Sequence, residues 1–151
     1  MTADAWVLHD KAKEYIGDGT IDLDGDTFKV ALFLSTSNAE TTSINALSTA
    51  TNQHANANGY TTGGVALGTV TWTSSGATIT FDAADMTDAW TAAGGSIVCR
   101  LAVLYDDTVS SPVIDPIIAH CLLDNAPANI TVTDTNKLSI TFPAGGIFQV
   151  S

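Results

Sequence analysis

The stretch from Gly17 to Ser37, GDGTIDLDGDTFKVALFLSTS, does most to restrict how this chain can fold. A Gly/Asp-rich entry loop carrying Asp22, Asp24 and Asp26 runs into a segment where Phe28, Val30, Leu32 and Leu34 recur two apart. That period puts them on one face of a pleated, half-buried strand. Such a face has to be covered, and most of the remaining chain reads as further strands.

Val70 and Trp72, then Ile79 and Phe81, alternate with threonines 69, 71, 73, 78 and 80. Setting Trp72 opposite Ile79 and Val70 opposite Phe81 gives a hairpin with Ser75-Gly76 as its two-residue loop and the threonines outside. Ile97 to Tyr105 and Ile117 to Leu123 are apolar on both faces, as interior strands are. Pro116 can begin the second of these but could not sit centrally in it. Ile130 and Val132 are expected to pair with Ile140 and Leu138 across Asp134-Thr135-Asn136. Strands spaced by Gly, Pro and Asp turns predict a mainly β chain, an antiparallel β-sandwich or barrel-like fold.

The exception is the start. Asp4 suits an N-cap, Ala5, Leu8, Ala12 and Tyr15 share one face, and Gly17 suits the position after the helix. This divides the chain into an N-terminal α-helix over 1–17 and a single β domain over 18–151. The helix stripe must be covered by the sheet or by a neighbouring subunit. Residues 38–64 form a long polar connection, with a possible helix at Ile44 to Asn52 and His54 on its surface. Asp82 to Gly95 reads as a loop holding Trp90. Trp6, Leu8, Tyr15, Tyr60 and Trp90 are the candidate interface positions, large side chains being the usual anchors.

Composition narrows the function. A chain of 151 residues suits one core. Sixteen acids against five bases give a formal net charge of −11 with no basic cluster, which argues against nucleic acid. The apolar runs are too short to span a membrane and the N-terminus lacks a basic leader, so a soluble, cytoplasmically made chain is expected. Cys99 and Cys121 sit in apolar runs and read as buried thiols, a bridge between adjacent strands being the other reading.

The chemistry-bearing residues do not assemble into a motif. Asp22, Asp24 and Asp26 have the alternate spacing of a calcium loop, but Thr27 stands where glycine is needed and Phe33 where the bidentate glutamate belongs. No metal or other cofactor is expected. Arg100, the only arginine, needs a carboxylate if interior, with Asp82, Asp85 and Asp88 as candidates, or reaches water at a strand edge. His120 reads as a hydrogen-bonded structural residue, since no serine, cysteine or carboxylate is placed as its partner. No catalytic residue is assigned.

Five segments, GTIDLDGDTFKVALFLSTSNA, NANGYTTGG, TVTW with ATITFDAAD, GGSIVCRLAVLYDDT and TVTDTNKLSITFPAGGIFQVS, together resemble a family of small virion structural proteins of tailed bacteriophages. The resemblance spans nearly the whole chain in order. It implies a non-enzymatic particle component, a minor capsid or decoration (cement) protein, with neck and tail parts as the alternative. The implied partners are the major capsid protein or other virion proteins and further copies of the chain. The implied locations are the virion and, during assembly, the host cytoplasm. A carbohydrate-binding β-sandwich stacking sugars on Trp90 or Trp72 is the competing reading.

Overall fold

The computed structural model describes residues 5–124, 126 and 128–151. It is mainly β, with antiparallel sheets and one short α-helix, as the alternation predicts. Numbered along the chain, β1 is Val7–Leu8, α1 Asp10–Gly17, β2 Phe28–Phe33 and β3 Val65–Ala66. Then come β4 Thr71–Ser75, β5 Thr78–Asp82, β6 Met86–Thr91, β7 Ile97–Cys99 and β8 Leu101–Asp106. The last four are β9 Ile117–Leu122, β10 Ile130–Val132, β11 Lys137–Ile140 and β12 Phe148–Val150.

The central sheet runs β1-β9-β8-β2-β3. Its middle is β2 against β8, with Val30 opposite Leu104 and Leu32 opposite Ala102. Phe28, Val30, Leu32, Ala102 and Leu104 point into the main core with α1 and the smaller sheets. Ala31, Phe33, Leu101, Val103 and Tyr105 point the other way, into a second cluster. Ala39, Ile44, Leu47 and Ala50 of the long connection cover that second face. The connection is therefore the lid of a two-faced sheet, and its structured part is only a 3₁₀ turn at Leu47–Thr49 instead of a helix over 44–52. Leu34 has left the strand, and β2 is buried on both faces except at Lys29.

Three further sheets close the main core: β12-β5-β4, β11-β6 and β10-β7. In the first, Trp72 stands opposite Phe81 and Ser75 opposite Thr78, so the loop is Gly76-Ala77 and the register lies two residues from the predicted one. A shift of two keeps every side chain on its expected face, which is why alternation could not detect it. The turn decides instead: Gly76 has φ +62° at the first central position, where a tight hairpin of this kind takes glycine.

The expected terminal hairpin does not form. Val132 pairs with Ile97 in β7, while Leu138 pairs with Trp90 in β6. The Asp82 to Gly95 segment, expected as a loop, contains β6, and its exit stacks on the 133–136 turn. Ala92 N–H donates to the Asn136 carbonyl at 2.8 Å, and Thr135 N–H to the Ala92 carbonyl at 2.8 Å. Each arm of the two connections pairs with the other connection, which satisfies the same apolar alternation with different partners.

The helix starts later than expected. His9 is extended at φ −77°, ψ 152° and occupies the N-cap position, while Asp4 lies outside the described residues. Leu8 belongs to β1, opposite Ala119. Ala12 and Tyr15 are buried in the main core, so the molecule's own strands cover the helix stripe, and the described part of this segment, from Ala5 to Gly17, packs with the β strands.

Candidate functional site

Four of the five candidate interface residues are interior. Trp6 packs against Phe142 with ring centroids 5.8 Å apart, and Tyr15 is buried on α1. The Tyr60 hydroxyl accepts from Leu32 N–H at 3.1 Å and from Gln53 Nε2 at 2.8 Å, pinning the long connection to β2. Trp90 is 2% exposed on β6. Leu8 is half-buried. Sequence could not separate an aromatic anchor from an aromatic core residue, because both require the same large apolar side chain.

What stays uncovered lies elsewhere. Among the described residues, Val7, Ile114 and Val150 are the large apolar side chains with substantial exposure. A groove of about 450 Å³ runs between the two ends of the chain, with Ala5, Trp6 and Leu8 on one wall and Pro143, Phe148 and Gln149 on the other. The described residues that line it carry no charge, although the chain carries 16 acids. Val7 and Val150 adjoin this lining in sequence. Gly145 and Gly146 also line it; Gly146 has φ +85°, and an added Cβ would lie 2.4 Å from Thr80 Cγ2 and 2.8 Å from the Phe81 carbonyl oxygen.

The titratable residues are held in structural roles. His54, expected on the surface, is buried with its ring 5.2 Å from that of Tyr60, and burial lowers its pKa. Its Nε2 and the indole nitrogens of Trp6 and Trp90 have no hydrogen-bond partner among the described residues. His120 is buried against His9, with Nδ1 3.0 Å from His9 Nε2. The sequence offered no sign of this pairing, since the two are 111 positions apart and reach each other only because β1 docks on β9.

Arg100 sits at the break between β7 and β8, where the chain leaves one sheet for another. Its carboxylate is Glu40, not Asp82, Asp85 or Asp88: Nη1 donates to Glu40 Oε2 at 3.0 Å and Nε to the Ala126 carbonyl at 3.0 Å. Asp85 instead accepts from Phe142 N–H, and Asp88 pairs with Lys137 at 2.7 Å. Cys99 and Cys121 are buried thiols, and burial pushes Cys99 up to about 12, far from the nucleophilic range.

Among the described residues no three potential metal ligands converge. In the acidic loop, Asp22 Oδ1 accepts from Asp24 N–H and Asp26 Oδ2 from Asp22 N–H, so both carboxylates hold the loop's own backbone. No helix of the described residues is long and apolar enough to cross a membrane.

No protein-family model matches the chain, and neither a curated protein nor a solved structure is detectably similar to it.

Proposed function

We propose that this chain is a structural component of a tailed-phage virion, a decoration protein that binds the outer shell and stabilises contacts between capsomers. The observation that carries the reading is the ordered run of five segments with that family's character, from Gly19 to Ser151. The groove between Trp6 and Phe148, whose described lining carries no charge, supports it. A subunit added many times to a shell needs a modest, shape-complementary contact more than strong chemistry, because repetition supplies avidity. The acidic remainder of the surface keeps free copies apart before assembly.

Within this proposal the groove between Trp6 and Phe148, next to the exposed Val150, is the contact with the shell. A neck or tail position is the alternative and uses the same face. Sugar stacking on Trp90 finds no support, because its ring is enclosed.

Quantitative mass spectrometry of purified particles, followed by cryo-EM, tests the proposal. A copy number comparable with the capsid subunit is the expected result; a single ring of copies moves the chain to the neck or tail, and absence from particles overturns the reading. Val150→Asp, at an exposed position, should leave folding intact and reduce incorporation.

A further inference from the structure

Asp106 ends β8 and is completely enclosed. Its Oδ1 accepts from Thr108 N–H at 2.8 Å and from Val109 N–H at 3.1 Å, which closes the turn after the strand. Its Oδ2 is buried and receives no hydrogen bond while the group is ionised. Asp26, in the entry loop before β2, precedes Thr27, whose N–H donates to Thr108 Oγ1 and whose carbonyl accepts from Asp107 N–H, and this sets the Asp26 carboxyl beside the turn that Asp106 closes. Two ionised carboxylates offer each other no hydrogen, and a buried oxygen left this way is costly.

We propose that Asp26 and Asp106 form a proton-operated clasp: one shared proton joins the two carboxyls and locks the entry loop to the 106–109 turn. Loss of that proton sets two adjoining charges against each other and loosens the loop. The proton passes to or from water, and no other bond changes. The inference is independent of the virion reading.

The surroundings favour holding the proton. Burial, the Thr108 and Val109 N–H groups acting against it, and Asp26 together place Asp106 up at about 6. Compensating cations are scarce. Lys29 on β2 pairs with Asp107 at 2.8 Å, and Asp115, from the segment before β9, adds negative charge beside Asp107. Asp22 and Asp24 contribute more acid from the entry loop itself. A metal would find two carboxylates here, whereas calcium takes roughly six to eight oxygen ligands.

The clasp spans the entry loop and the turn with two other bonds, Thr27 N–H to Thr108 Oγ1 at 2.9 Å and Asp107 N–H to the Thr27 carbonyl at 2.8 Å. The proton therefore tunes a contact that already exists and does not create one.

The test is carboxyl ¹³C NMR between pH 4 and 8, with amide-exchange protection factors for residues 22–27 referenced to those of β8. Asp106 should titrate near 6, and loop protection should fall several-fold as pH rises through that point. Asp106→Asn keeps an acceptor for the turn and gains an amide donor for Asp26, so it should hold the loop protected at every pH. Asp26→Asn, donating in the other direction, should behave alike. An Asp106 titration near 3.8, flat protection in the native chain, or protection gained at pH 7.5 on adding calcium and lost with EDTA would overturn the clasp.

Discussion

His9 Nε2 lies 3.0 Å from His120 Nδ1, and His9 Nδ1 donates to the Ile44 carbonyl at 2.6 Å. Because the carbonyl can only accept, the neutral pair has a fixed order: His120 Nδ1–H donates to His9 Nε2. His9 N–H also donates to the Ile118 carbonyl. One residue thus joins the N-terminal segment, the sheet lid and β9.

Burial foremost, then the neighbouring His9, lowers His120 to about 4, with Glu40 acting against them, and burial lowers His9 despite Asp10 beside it. The folded state therefore favours the neutral ring. Its contribution, on the order of 3 kcal/mol, is fully present above the ordinary 6.5 and is lost as pH falls toward 4. Histidine ring resonances followed by NMR should show His120 titrating below pH 5; a midpoint near 6.5 would contradict the enclosure.

Asp106 acts with the opposite sign. Its raised pKa means stability that is fully present below the ordinary 3.8 and is lost as pH rises toward 6. Between about 4 and 6 the two slopes oppose each other. Asp106→Asn removes this slope, so thermal melts should show its Tm advantage over the native chain growing from pH 4 to pH 7.

The Arg100–Glu40 pair is asymmetric, with side chains 10% and 50% exposed. Removing the exposed partner strands a buried cation, while removing the cation leaves a carboxylate in water. Chemical denaturation should find Glu40→Ala destabilising by about 1–3 kcal/mol and Arg100→Met by less.

Gly64 carries the long connection across β2 at φ +76°, where an added Cβ would lie 1.9 Å from the Val30 carbonyl oxygen. Gly64→Ala should cost about 3 kcal/mol or more in denaturant unfolding. Gly68 has open space and no such φ, so Gly68→Ala should lie within about 0.5 kcal/mol of the native chain.

The β class, the interior character of β8 and β9, and the facing of Trp72 and Phe81 were legible because each rests on local periodicity. Pro116 precedes β9 as its missing N–H requires. The candidate site was less legible. Trp6, Tyr15, Tyr60 and Trp90 have the chemistry of interface anchors, but burial is decided by what packs over them. The groove, uncharged among its described residues, is made of segments far apart in the chain, and no local window contains it.

Which residues face inward along each strand follows from residue order alone, because side-chain alternation is a property of the backbone. Tertiary structure alone decided which strands meet. β10 and β11 satisfy their alternation on β7 and β6 instead of on each other, and a two-residue slip in β4–β5 costs nothing in facing. The same holds for Arg100 with Glu40, His9 with His120 and Asp26 with Asp106. Each pair is brought together by chain crossing between distant segments, and charge or hydrogen bonding selects a partner only after the fold has made it a neighbour.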